Sequence, residues 1–274
     1  MKPICYNEIT TMNDYPYWRR QTTEKPLFPD VEWSKPEQKS QSGKLGIIGG
    51  NRLGFAGVAE AYGVALQAGT GHIRVLLPDV LRKTIPKAIT DAIFAPTNPS
   101  GSLSKEAIAE MRALGEWASS ILLIGDAGRS GETAVVYEQF IQTYSGQLVL
   151  TRDAIDLVKN GSDMLVERPN TVLVTSFAQL QKLFQSVYYP KVLTFSMQLT
   201  NFVEAVHKFT ITYPVTIVVL HQDHLVVANG GEVTSQVWDN PMLIWRGSVA
   251  AKAAAYWLWT PSKPLEAITS SIVS

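Results

Sequence analysis

The sequence predicts an open α/β sheet, mostly parallel, with helices on both faces and an antiparallel meander near its C-terminal end. Three observations predict it. Short apolar runs such as LGIIGG (45–50) and SILLIGD (Ser120 to Asp126) show no polar alternation, the pattern of strands buried on both faces. Amphipathic or Ala-rich helical stretches separate them, as parallel crossovers require. Three strand-like runs then follow in quick succession between Val215 and Val237. Their joints, His221-Gln222-Asp223 and Gly230-Gly231, are short enough only for antiparallel neighbours.

Residues 1–43 differ from the rest. They are rich in proline and charge, carry scattered aromatics (Tyr15, Tyr17, Trp18, Phe28, Trp33) and show no helical or strand period. Aromatic rings are costly to leave in water. The segment therefore reads as an extended arm laid over its own domain or a neighbouring subunit; the alternative is a disordered leader. From Lys44 to residue 274 the texture is that of one α/β domain. After the first strand, Phe55 to Ala68 is an Ala-rich helix closed by Gly69. His72 to Pro78 is a strand, Asp79 to Ile85 a short helix, and Ala92 to Ala95 a strand. Ser104 caps a helix through Gly115, with Glu106 in its first turn. Strand Ser120–Asp126, helix Glu132–Tyr144, strand Gln147–Leu150, helix Asp153–Lys159, strand Thr171–Thr175 and helix Phe177–Phe184 continue the alternation. After the meander a helix begins near Gly247. It is apolar nearly all round, with Lys252 its only charge, so it is predicted to lie buried against the sheet.

Composition narrows the function. The chain has 274 residues, 46% of them hydrophobic, enough to fold around its own core. Its formal net charge is zero, which argues for a small-molecule or protein partner over nucleic acid or an anionic membrane. The one cysteine, Cys5, can neither staple the fold nor build a cysteine metal site. The N-terminal stretch lacks the apolar core of a signal peptide, and runs such as Pro214 to Leu220 are too short to span a bilayer. The expectation is a soluble, cytoplasmic protein.

In such sheets ligands bind at the carboxyl ends of the strands. Three loops there hold the candidates. GGNRLGFAG (Gly49 to Gly57) offers close backbone approach and free N–H groups to an anion, although a plain tight turn would look the same. It has neither the dinucleotide nor the P-loop spacing. In GDAGRSG (Gly125 to Gly131), Asp126 is a candidate for orienting a hydroxyl or a metal-bound water, with an Asx-turn or cap as the structural alternative. In TRDAID, Asp153 most simply caps its own helix. The four histidines, His72, His207, His221 and His224, form no metal spacing; His221 and His224 flank a turn and read as surface residues. No nucleophile elbow is present. Gly247 and Ser248 open the late helix with bare N–H groups beside Arg246. They form an anion site or an ordinary N-cap.

Together these positions resemble the ribokinase-like superfamily, and within it the ADP/ATP-dependent NAD(P)H-hydrate dehydratases, also described as carbohydrate-kinase-like. The similarity runs from about Pro26 to Ala267. The stretch from Lys44 to Asp79 looks like that family's glycine-rich opening. LLIGDAG resembles its Gly-Pro-Gly loop, VLTRDAIDLV its Leu-Asp-Ala-Asp-Ala-Leu segment, and DNPMLIWRGS the Gly-Asn-Pro stretch that leads to its Gly-Ser/Thr-Gly-Asp motif. The resemblance implies nucleotide binding (ADP or ATP, with Mg2+) at Asn240, Gly247 and Ser248. It also implies a second small molecule, NAD(P)H-like, near Gly49, Gly50, Asn51 and Gly125, and a homo-oligomer. The family's motif supplies an acid/base aspartate. Here that position is Ala250, and the second glycine is Val249. Thr-Pro-His becomes Thr175-Ser176-Phe177, Lys-Gly becomes His221-Gln222, and the first aspartate of Asp-Ala-Asp becomes Thr151. No catalytic residue is assigned; Asp126 and Asp153 are the only weak candidates. Two readings stay open: a divergent nucleotide-dependent enzyme, or a pseudoenzyme that binds a small molecule or serves assembly.

Overall fold

The computed structural model describes residues 15–273. Cys5 and the first part of the predicted arm lie outside the described residues. Ten strands form one sheet in the order β1-β10-β9-β8-β7-β6-β5-β2-β3-β4. They are β1 (Trp18–Arg20), β2 (Lys44–Gly49), β3 (His72–Pro78), β4 (Ala92–Ala95), β5 (Ser120–Gly125), β6 (Gln147–Thr151), β7 (Thr171–Thr175), β8 (Thr216–His221), β9 (His224–Asn229) and β10 (Glu232–Val237). The block from β8 to β4 is parallel throughout, whereas β8, β9 and β10 pair antiparallel. The sequence pattern therefore reads correctly in both halves.

The strands are apolar on both faces because each face carries a layer of helices. In β5, Ile121 and Leu123 join one core cluster, while Leu122 and Ile124 join the other. The first cluster is covered by α2 (Ile108–Trp117), α3 (Gly131–Thr143), α4 (Asp153–Leu157), α5 (Ser162–Glu167), α6 (Phe177–Ser186) and α7 (Leu199–Thr212). The second lies under α1 (Ala56–Ala68), α8 (Pro241–Arg246), α9 (Ser248–Trp259) and α10 (Pro264–Val273). Burying one such leucine or isoleucine contributes about 1.5–3 kcal/mol.

Local signals set the helix ends. Gly69, at φ +100°, donates its N–H to the carbonyls of Ala65 and Leu66 and ends α1. Ser176 and Gln179 form a capping box at the start of α6. Three expectations need correction. The helix expected over Asp79–Ile85 is a single 3-10 turn, Asp79–Leu81. The helices α5, α7, α8 and α10 were not foreseen. His221 is not a surface residue: it is 1% exposed, its Nε2 bonds the Met197 carbonyl, and its ring stacks with Phe177 and Phe202.

The segment before β2 packs on the sheet edge. β1 runs parallel to β10, and the Trp18 indole donates to the Ser235 hydroxyl. Gln21 bonds Gln236 and the Thr269 carbonyl. Ser270 donates to the Phe28 carbonyl.

The chain order reverses between β2 and β5. From β2 it winds outward through β3 and β4, then returns to β5 and winds the other way. Such a reversal leaves a crevice beyond the carboxyl ends of the two strands. That crevice positions the site.

Candidate functional site

The crevice brings together four of the predicted residues. Gly49 ends β2, and a Cβ there would stand 2.3 Å from the Gly125 carbonyl oxygen. Gly50, at φ +84°, donates its N–H to that oxygen at 2.9 Å. Asn51 closes a small turn, its Oδ1 accepting from the Leu53 N–H. The glycines let the β2 and β5 turns touch backbone to backbone. Asn240 stands apart: it is exposed and precedes α8, with no side-chain cap bond.

Both candidate carboxylates accept hydrogen bonds from the protein itself. Asp126 accepts the Gly57 N–H from the first turn of α1 on Oδ2 (2.6 Å) and the Arg152 guanidinium on Oδ1 (2.5 Å). Asp153 does not cap its own helix; Arg152 holds that position, at φ +57°. Instead Asp153 accepts the N–H groups of Asp126 and Ala127 on its two oxygens, at 2.7 and 3.0 Å. Burial pushes the Asp153 carboxyl above its ordinary range; the bond from the Asp126 N–H works against that rise. A side chain at Gly125 would collide with it, because a Cβ there lies 2.1 Å from Asp153 Oδ1. Both acids brace the loops around them.

The start of α9 has the opposite character. Gly247 turns the chain at φ +91° and ends α8, its N–H bonded to the Ile244 carbonyl. Ser248, Val249 and Ala250 form the first turn of α9, where a helix supplies no acceptor of its own, and the N-cap residue, Gly247, has no side chain to cap them. These residues are only 5%, 5% and 0% exposed. A buried N–H group left without a partner costs about 1–3 kcal/mol, so an acceptor is favoured at such a helix start. The helix dipole adds a positive end at the same point. Ala250 contributes only a methyl group.

Two side chains that sequence reasoning did not bring here complete the site. Arg152, not the exposed Arg246, passes Gly247: a Cβ built on Gly247 would lie 3.6 Å from its Cδ. A Cβ on Gly57 would overlap its Nη1, at 1.6 Å, so the glycine makes room for the guanidinium. Nη2 is held by Asp126, whereas Nη1 is buried and has no partner. Glu60, from α1, accepts the Ser248 hydroxyl at 2.7 Å. The sequence separations are 26 residues for Arg152–Asp126 and 188 for Glu60–Ser248, so no local signal links either pair.

Elsewhere, a cavity of about 520 Å3 opens at the opposite, amino edge of the sheet, where Arg112, Glu116, Phe140 and Tyr144 are among its lining. No predicted residue lines it. Among the described residues, no group of three or more His, Cys, Asp or Glu side chains is placed to hold a metal ion, and no helix is long and apolar enough to cross a membrane.

No family model matches the chain. In sequence it is 29% identical, over 155 residues, to the bifunctional NAD(P)H-hydrate repair enzyme of Methanothermobacter thermautotrophicus. That match covers 55% of this chain and 30% of the relative. In structure it is similar to a ribokinase-like superfamily protein of Enterococcus faecalis, with a TM-score of 0.72 at 16% identity over 95% of this chain and 87% of the other. It is also similar to a Bacillus subtilis ADP/ATP-dependent NAD(P)H-hydrate dehydratase co-crystallised with ATP and Mg2+ and soaked with CoA. There the TM-score is 0.60 at 14% identity, over 90% of this chain and 86% of the other. The chain thus has a ribokinase-like fold, similar in sequence to part of a NAD(P)H-hydrate repair enzyme and in fold to a NAD(P)H-hydrate dehydratase.

Proposed function

We propose that this chain binds the anionic group of a small molecule, of the nucleotide-phosphate class, at the start of α9, and that it does so without proton-transfer chemistry. One observation supports the reading: the first turn of α9 is buried and starts at a glycine that offers no side-chain acceptor, while the acid of the related motif is a methyl group here. The donor set fits a phosphate or carboxylate group. The likeness to a dehydratase co-crystallised with ATP and Mg2+ supports the choice of a nucleotide.

Loss of a general acid or base typically costs about 10²–10⁴-fold in rate. With Asp126 and Asp153 both engaged, neither replaces it. The test is a calorimetric titration with ADP and ATP beside an assay of NAD(P)H-hydrate conversion. The reading expects heat of binding and no turnover. Turnover by the natural chain, or no binding of either nucleotide, would overturn it. An Ala250→Asp variant that gains turnover would support it further.

A second reading rests on Glu60. Its carboxylate lies against Ser248 and could serve as a relocated acid in a divergent enzyme, dehydrating NAD(P)H hydrate or transferring a phosphoryl group. Under this reading the natural chain turns over and Glu60→Gln abolishes turnover while sparing nucleotide binding.

A further inference from the structure

We infer that the cavity at the amino edge of the sheet is a second small-molecule site, and that it takes a free amino acid with an aromatic side chain. The inference does not depend on the α9 reading, because the two places lie at opposite edges of the sheet.

The cavity, of about 520 Å3, has the size of a small-molecule pocket. It opens where α2 and α3 end, with Gly115 and Glu116 of one helix and Thr143 of the other in its lining. Its apolar wall is a pair of rings. Phe140 and Tyr144 stack with centroids 5.2 Å apart and planes 15° from parallel. Gly115 lets both rings close on α2, since a Cβ there would stand 3.2 Å from Phe140 Cε2 and from Tyr144 Cδ2. Glycine is the poorest helix former after proline, so its place inside α2 has a packing reason. The polar groups around this wall lack partners. The Tyr144 hydroxyl is buried over Gly146, also a lining residue, and makes no hydrogen bond. Arg112 and Glu116 line the cavity from exposed positions one turn apart on α2. Neither forms an ion pair with any described residue. With the arginine first, the two gain little from pairing with each other.

The charges set the class of occupant. The carbonyl end of a helix favours a cation, and neither α2 nor α3 carries a basic residue in its last turn. Glu116 adds a carboxylate at the same place. Arg168 lies 5.5 Å from the centre of the Tyr144 ring, but its donors are spent on carbonyls and the Thr171 hydroxyl. Arg112 is therefore the cation left for an anion. An ammonium at Glu116 and the helix ends, a carboxylate at Arg112 and an apolar body on the rings together describe a zwitterionic amino acid. An aromatic side chain suits this wall, because ring pairs gain more than their burial alone.

The experiment titrates the full chain with L-phenylalanine, phenylacetate and phenethylamine, followed by NMR. Phenylalanine is expected to bind with a Kd of about 1 mM or below, and each analogue, lacking one charge, about fivefold or more weakly. Glu116→Gln is expected to weaken phenylalanine and phenethylamine and to leave phenylacetate unchanged. Arg112→Gln is expected to weaken phenylalanine and phenylacetate and to leave phenethylamine unchanged. Both side chains are exposed, and the titrations use variants whose near-UV circular dichroism matches the natural chain. A merely structural role would not split the two analogues in opposite directions. No binding of phenylalanine to the natural chain, or variants that change all three ligands alike or none of them, overturns the inference.

Discussion

Two partly buried arginines sit at opposite edges of the same sheet, and their surroundings differ. At the amino edge Arg168 is saturated. Its Nε and Nη2 donate to the Tyr144 carbonyl, Nη2 also to the Gly146 carbonyl, and Nη1 to the Pro169 and Asn170 carbonyls and the Thr171 hydroxyl. It ties the turn after α3 to the start of β7. At the carboxyl edge Arg152 makes one ion pair and leaves Nη1 unpaired. A guanidinium with every donor used is a structural rivet. One with a buried donor left over keeps room for a further acceptor.

The comparison can be broken or sharpened by mutation. The largest expected effect is at the saturated edge: Arg168→Ala removes the donor to several part-buried carbonyls and is expected to cost about 3 kcal/mol in chemical denaturation. It should leave nucleotide titrations of the surviving folded protein unchanged. Arg152→Ala is expected to cost less, about 1.5 kcal/mol by the same measurement, because only one ion pair is lost. If the two costs came out reversed, the division between rivet and ligand group would fail.

A pH effect follows from His221. Burial among rings holds its pKa below the ordinary histidine value; the bond to the Met197 carbonyl pulls weakly the other way. The folded chain thus binds the proton less readily than the unfolded chain. Stability from this group is complete above the unfolded value, about 6.5, and is lost as pH falls from there through the lowered folded value. Denaturation midpoints are expected to drop over that window, and the drop should shrink in His221→Phe. The smallest effect is expected at the amino-edge cavity. Burial pushes the Tyr144 phenol up to about 12, and its hydroxyl has no partner. Tyr144→Phe should leave stability unchanged or raise it by up to about 1 kcal/mol.

The strands and the glycine turns were legible because their signals are local. Runs such as Ser120 to Gly125 are buried throughout, and Gly69 and Gly247 stand where the chain must turn at positive φ. The helix α7 escaped notice because its Thr, Val and Phe residues favour strands, although Phe202, Val206 and Phe209 mark one helical face. The strand β1, three residues long with two arginines, has no strand pattern of its own; pairing with β10 makes it one. The start of α9 was legible as a place but not as a chemistry. Arg152 reaches it only because Gly57, 95 positions earlier, carries no side chain, and Glu60 reaches it across 188 positions. Asp153 looked like a cap since acids often open helices, yet its carboxylate serves the neighbouring loop.

The central claim is that the start of α9 holds an anion with donors alone. A crystal of the full chain soaked with ADP tests it most directly. The account predicts a phosphate group within about 2.7–3.2 Å of the Ser248, Val249 and Ala250 N–H groups and of Arg152 Nη1, with Asp126 and Asp153 still on their loop partners. A nucleotide bound elsewhere, or the Glu60 carboxylate turned onto those N–H groups in its place, would contradict it.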